Sequence, residues 1–402
     1  MKFKYFNSCI FLFFVIIIIL PLFFAPVYGA SKFPDFDACE ETKIVDGMKY
    51  IKLKILKPDC RQSIHVLELD INSNKFKLES VFGKDSLHNK ETVSSMAKRK
   101  NAVAAVNGSF FSNGGNPLGM IIHQGKIIKE PILGRTVMGI TSSNEIFFDN
   151  PKFDARFYYK NEISETGECH FIELDGINRP PVADEVIIYT PEYGNRTMTK
   201  NNNSFEIVVS NEKVISMGRA NSVIPPDGYV IYACGVMYTD LERVCLNDEA
   251  SLELYINPIW EKTQFAVGGG PRLLRDGSVI NCAADEKFRP DVAKGRAPRT
   301  AIGMTSTGKL LLVCVDGRQP KTSAGMNLKE LSALMVKLGA VDAMNLDGGG
   351  STTLYLMGKV MNSPSDGCER PVSQALILKA CDGEDQAGKK VAFESSEKNI
   401  KF

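Results

Sequence analysis

Past an apolar leader, the hydrophobic positions of this chain fall into short runs, and those at 50–56, 64–71 and 75–82 read as strands. A helix follows around 91–99. The apolar run 102–106 then ends in Asn107-Gly108-Ser109-Phe110-Phe111, which puts the polar Asn107 at a strand end. From 151 to 265, strand signals at 185–190, 204–210 and 228–233 are parted by Pro, Gly and Asn turns, which predicts a β-rich insertion. The run 310–315 predicts a strand ending in Asp316-Gly317-Arg318. Asn327 then caps a helix with Glu330 three residues on; Leu328, Leu331, Leu334, Met335 and Leu338 form its apolar face and Gly339 ends it. Residues 341–346 predict another strand, closed by Asp347-Gly348-Gly349-Gly350-Ser351-Thr352. Strand, helix and strand in this order predict a right-handed crossover between parallel strands. Asp316 and Asp347 then stand at carboxyl ends on one sheet edge, where open α/β sheets bind ligands.

Two stretches of the pattern repeat. Gly114-Gly115-Asn116-Pro117 and Gly125-Lys126-Ile127-Ile128 match Gly268-Gly269-Gly270-Pro271 and Gly277-Ser278-Val279-Ile280. Further on, the eight residues from Arg135 match the eight from Arg299, in the same order in both halves. Gly-rich hairpins recruit such residues wherever they occur, so strand partners decide whether this is a true repeat. The expected fold is α+β: mixed twisted sheets flanked by helices, internally duplicated around a site, with the insertion at 151–265.

Composition narrows the function. With 402 residues, 44% of them hydrophobic and 24% charged, the chain has an ordinary globular balance. Its 48 Lys+Arg against 47 Asp+Glu leave a formal charge of +1, so no general field favours nucleic acid and any anion is held by a local cluster. Lys2 and Lys4 precede an uncharged run from Cys9 to Phe24, and Val27 and Gly29 suit cleavage before Ala30. This reads as a secretory signal, with an uncleaved anchor, the sole membrane link, as the alternative. Beyond it nine cysteines lack CxxC spacing, so disulfides are expected in an oxidising compartment, with Cys314, inside a buried strand, as the odd thiol.

Three glycines after Asp347 expose successive N–H groups, the ingredients of an anion nest, although a tight turn uses the same residues. Arg299, Arg318, Arg135 and Arg370 can supply the guanidinium forks that phosphate prefers, and Arg318 falls on the same predicted edge as the glycines. Asp316 and Asp347 are the best carboxylate pair for acid and base work, each also explicable as a turn residue before Gly. Asn107 orients a hydroxyl or forms a turn. His65, His88, His123 and His170 lie far apart and suggest neither a metal site nor a Ser-His-Asp arrangement; P-loop, nucleophile elbow and HExxH are absent.

Taken together, Asn107-Gly-Ser-Phe-Phe, Gly268-Gly-Gly-Pro, Arg299-Thr-Ala-Ile-Gly, Asp316-Gly-Arg, the segment 325–339 and the run from Asn345 to Thr352 resemble the phosphodiester glycosidase family, over about residues 60–380. The resemblance implies hydrolysis of a sugar-1-phosphate diester at an exported site. It carries Asn107, Arg299, Thr300, Asp316, Arg318, Asn345, Asp347, Gly348, Gly349, Gly350 and Ser351 onto that site. The expected domains are a signal peptide at 1–29, a catalytic domain at 30–381 and a disordered tail at 382–402. The expected location is secreted or periplasmic, with a phosphorylated glycan or sugar-1-phosphate diester of an envelope, extracellular polysaccharide or capped glycan as substrate. In the expected mechanism Asp347 is nucleophile or base and Asp316 its partner, opening into one cleft about 5 to 10 Å apart. Arg299, Arg318 and the glycine amides hold the phosphodiester, Arg135 and Arg370 add charge, and no metal or cofactor is needed.

Overall fold

The computed structural model describes residues 36–57, 60–160, 169–200, 203–280 and 282–381. The expected signal peptide and the tail at 382–402 lie outside the described residues. The described part is α+β, with four mostly antiparallel sheets and a few short helices.

One eight-stranded sheet runs Ala38–Val45, Met48–Ile55, Gln62–Asp70, Lys309–Val315, Arg299–Thr305, Ala340–Asn345, Arg272–Arg275, Ser278–Val279. The expected crossover is present in altered form. Lys309–Val315 and Ala340–Asn345 run parallel, but Arg299–Thr305 lies between them, antiparallel to both. The helix joining them, Leu328–Lys337, starts at Asn327, whose side chain accepts from the Glu330 amide while Glu330 reciprocates. Leu331, Leu334 and Met335 of that helix are buried. A second eight-stranded sheet is built from strands between Phe153 and Ile256 and has its own apolar core.

The repeat is real at the level of strand pairing, and it occurs three times. Lys126–Lys129, Ile121–His123, Thr263–Gly268, Val137–Thr141 and Ile146–Asp149 form one five-stranded sheet in that order. The same order, with every pair antiparallel, recurs as Ser278–Val279, Arg272–Arg275, Ala340–Asn345, Arg299–Thr305 and Lys309–Val315. It recurs again as Lys359–Val360, Leu354–Leu356, Ala104–Asn107, Gln374–Ala380 and Phe76–Phe82. Register makes the equivalence residue by residue, because Val137 faces Gly268, Ala301 faces Asn345 and Ala375 faces Asn107. Just beyond these pairs the amides of Gly269, Leu346 and Gly108 donate to the carbonyls of Thr136, Thr300 and Gln374. Val267, Met344 and Val106, one step before those ends, are buried in one shared core with Met138, Ile302 and Leu376. Alternation explains this: a one-residue slip in any copy would turn its apolar set outward.

The expected disulfides are not formed: among the described residues no two cysteines are bonded. For three of them strand register sets other neighbours: Cys39, Cys169 and Cys234 face Leu53, Lys160 and Ser204. Cys314 faces Thr300 and His65 and is fully buried, behaving as a small hydrophobe. Among the described residues no helix is long and apolar enough to cross a membrane.

Candidate active site

The three repeats end together, and their ends are laced to one another. Asn107 Nδ2 donates to the Asp347 carbonyl at 2.7 Å, and Asn345 Nδ2 to the Gly270 carbonyl at 2.9 Å. Asp347 and Gly270 hold equivalent places, each two residues past its strand-end pair. The two asparagines therefore perform the same stitch between successive copies. Asn107 Oδ1 accepts from Thr300 Oγ1 at 2.7 Å and from the Thr353 amide at 3.2 Å, and the residue is 1% exposed. Its carbonyl oxygen is thus occupied twice, and its NH2 donates once. Asn107 and Thr300, expected at the reacting centre, instead position the Asp347 loop. Asn345 is equally buried, and its Oδ1 has no hydrogen-bond partner.

Asp347 opens the loop Asp347-Gly348-Gly349-Gly350-Ser351. Its Oδ1 accepts from the Gly348 amide at 2.9 Å, while the Gly349 amide donates to the Pro298 carbonyl at 2.8 Å. The expected nest of three free glycine amides is therefore not what the loop offers, since two of the three are engaged internally. What the glycines provide is closeness to guanidinium groups. A Cβ on Gly349, which sits at φ +63°, would lie 3.0 Å from Arg318 Nη2. One on Gly350 would collide with the Arg370 guanidinium, and one on Gly348 would press on the Pro298 carbonyl. Ser351, directly after, is wholly buried.

The arginines divide into different jobs. Arg318 is exposed, and no carboxylate pairs with it among the described residues. Arg370 pairs with Asp366, with Nε at 2.9 Å and Nη2 at 2.7 Å from Oδ2. Arg299 is buried, its Nε donating to the Met326 carbonyl at 2.8 Å and its Nη2 to those of Val292 and Gly295. Burial, and then the Arg318 cation, pull the Arg299 guanidinium down to about 10. Arg135, its equivalent in the first repeat, stands apart from these three. It stacks on Phe288 at 4.0 Å and donates to the Glu286 carbonyl.

Asp347 is only partly accessible. The surrounding protein raises its carboxyl to about 6, an effect of burial that the Ser351 side chain, the Gly348 amide and the Arg370 charge only partly oppose. A carboxylate that ionises near neutrality beside guanidinium groups can attack, or deprotonate, something positioned by an anion.

Asp316 is held by a different set of groups. Its Oδ1 accepts from the Ser363 amide at 2.9 Å and Asn362 Nδ2 at 3.4 Å, and Oδ2 lies 3.2 Å from His65 Nε2. Tyr50 Oη is 2.7 Å from His65 Nδ1, completing a buried polar chain. Cys314 shares its sheet face with Thr300, and Asn345 shares the opposite face with Ala301. Asp316 and Asp347 follow strand ends of opposite parity, and among the described residues their carboxylates share no hydrogen-bond partner. Sequence reasoning missed His65, because 251 residues separate it from Asp316. The available signal was its place in the alternating strand Gln62–Asp70.

The family model described as phosphodiester glycosidase matches residues 203–379, less than half of the chain. Over 71 residues, 18% of this chain, it is 44% identical to the N-acetylglucosamine-1-phosphodiester alpha-N-acetylglucosaminidase of Bos taurus. Over 81 residues, 20% of the chain, it is 41% identical to a SPbeta prophage-derived uncharacterized protein, YomE, of Bacillus subtilis (strain 168). These matches span only 13% and 12% of those proteins. A hypothetical protein from Synechocystis shares the fold, with a TM-score of 0.77 and 22% identity over 86% of this chain and 64% of that one. At the level of family, then, the chain resembles the phosphodiester glycosidases.

Proposed function

We propose that the chain is an exported hydrolase that cleaves the C–O bond of a sugar-1-phosphate diester in an envelope or extracellular glycan. The observation that carries this reading is Asp347, its carboxyl raised to about 6, at the head of a glycine loop flanked by the Arg318 and Arg370 guanidinium groups. The two arginines hold the phosphate. An oxygen, from the Asp347 carboxylate or from a water that it deprotonates, bonds to the anomeric carbon as the bond to the phosphate oxygen breaks. The electron pair leaves on that oxygen, and the second negative charge of the phosphate monoester develops against the guanidinium groups. A phosphate monoester leaves without strong acid assistance, so one carboxylate suffices and Asp316 is not needed as a partner. Asn107 and Thr300 hold the backbone of Asp347 in place.

The test is hydrolysis of a small panel of sugar-1-phosphate diesters in ¹⁸O water. Label on the released sugar is the expected result. Label on the phosphate means P–O cleavage and replaces this reading with a phosphodiesterase. Binding without turnover makes the protein a glycan-binding one.

A further inference from the structure

The Asp316 cluster forms part of the wall of a pocket of about 600 Å³, within the range of small-ligand sites. Lys52, Lys54, Arg61 and Lys321 also line it, so four cations face one carboxylate. No acid pairs with Lys52, Lys54 or Lys321 among the described residues; Glu40 is the cross-strand neighbour of Lys52 without bonding to it. Asp316 is the one carboxylate among the lining residues, and its two oxygens are already occupied by Asn362, the Ser363 amide and His65. Two hydrogen bonds brace the wall: Arg61 Nη1 donates to the Lys321 carbonyl at 2.8 Å, and Gln319 Nε2 to Ser363 Oγ at 3.1 Å.

The pocket also adjoins the proposed diester site through two short stretches of chain. Arg318, against Gly349, is followed at once by Gln319, which lines the pocket. Ser363 lines the pocket, and the same loop goes on to Asp366 and Arg370 against Gly350. A diester held by Arg318 and Arg370 thus has a cationic pocket beside it.

We propose that this pocket is the subsite for a second anionic group, a phosphate or carboxylate on the alcohol half of the diester, so that the enzyme selects polyanionic substrates. The proposal rests on the diester reading given above. Two screened lysines on a strand and a third on a facing loop attract such a group without meeting the reacting bond.

The experiment compares a sugar-1-phosphate diester of 1,3-propanediol with the same diester carrying a phosphate, or a carboxylate, at the distal end. At low salt the wild-type protein should show a kcat/KM about tenfold higher for the anionic substrates, shrinking as salt is added. Lys52→Gln, Lys54→Gln and Lys321→Gln together, with Arg61 kept to hold the loop, should abolish that preference while turnover of the neutral diester stays at the wild-type rate. A better response to the distal phosphate than to the carboxylate identifies the group as phosphate, and the reverse identifies a carboxylate. Equal wild-type turnover of neutral and anionic diesters, or a preference that survives in the triple variant, overturns the subsite. If no diester is turned over, the hydrolase reading fails, and calorimetry with 1,3-propanediol bisphosphate decides the pocket alone. Binding about tenfold weaker in the triple variant sustains it, and equal binding overturns it.

Discussion

The first and second repeats put equivalent backbones to different uses. Arg135-Thr136 and Arg299-Thr300 begin matching strands, and Gly268-Gly269-Gly270 matches Asn345-Leu346-Asp347 in register. In the first repeat Thr136 donates through both its amide and Oγ1 to Glu286, a buried carboxylate, and the strand ends in glycines. A Cβ on Gly270 would meet Glu286, so the first repeat excludes a side chain where the second presents Asp347. In the second repeat Thr300 donates to Asn107 of the third. The first copy is closed by a carboxylate that the second supplies, whereas the second is held by the third and leaves its own carboxylate partly accessible. Repetition supplies a stable frame, and the departure from it marks the site.

The sharpest way to break this contrast is Asp347→Asn. We expect kcat to fall by at least about 10²-fold while a diester analogue still binds, since a nucleophile or base acts on the barrier. The wild-type kcat should itself fall about tenfold per pH unit below about 6, as Asp347 takes up a proton, and that acid limb should vanish in the variant. Near-normal turnover by a well-folded variant removes Asp347 from the mechanism.

Next come the arginines. Arg299→Lys leaves the carbonyls of Met326, Val292 and Gly295 without the guanidinium fork, which should cost about 2 to 4 kcal/mol in denaturant unfolding. Arg135→Lys loses one long hydrogen bond and a ring contact, and about 1 kcal/mol is expected. Arg318→Lys should instead weaken analogue binding with little change in Tm. Equal stability losses for the two repeat arginines would erase the distinction.

The smallest effect concerns stability and pH. Asp347 has a folded pKa of about 6 against 3.8 unperturbed, so between those values the folded state binds more protons than the unfolded one. Stability therefore rises as pH falls from about 6 towards 4, and the ionised carboxylate destabilises the fold above 6. Asp347→Asn should be more stable than wild type at pH 7.5 by about 1 to 3 kcal/mol, with the gap closing near pH 4. A less stable variant at pH 7.5 would show that the carboxylate serves the fold rather than the chemistry.

Local pattern alone specified the capped helix at Leu328–Lys337, the buried strand around Cys314, the arginines and the glycine loop, because each rests on residues close in sequence. It also showed two of the three repeats. The third was overlooked: Gly348-Gly349-Gly350 and Gly358-Lys359-Val360 echo the other two hairpins, but its equivalent of Arg299-Thr300 reads Ser373-Gln374. Strand pairing, not residue identity, defines that copy. Tertiary structure alone decided which groups meet. Pairing Gln62–Asp70 with Lys309–Val315 brought His65 to Asp316, a partner 251 residues distant. The engaged amide of Gly349 and the bonded state of Asn107 follow from partners up to 246 residues distant. A sequence specifies local geometry through propensity and period, but the partner of a strand-end side chain depends on which distant strand is its neighbour.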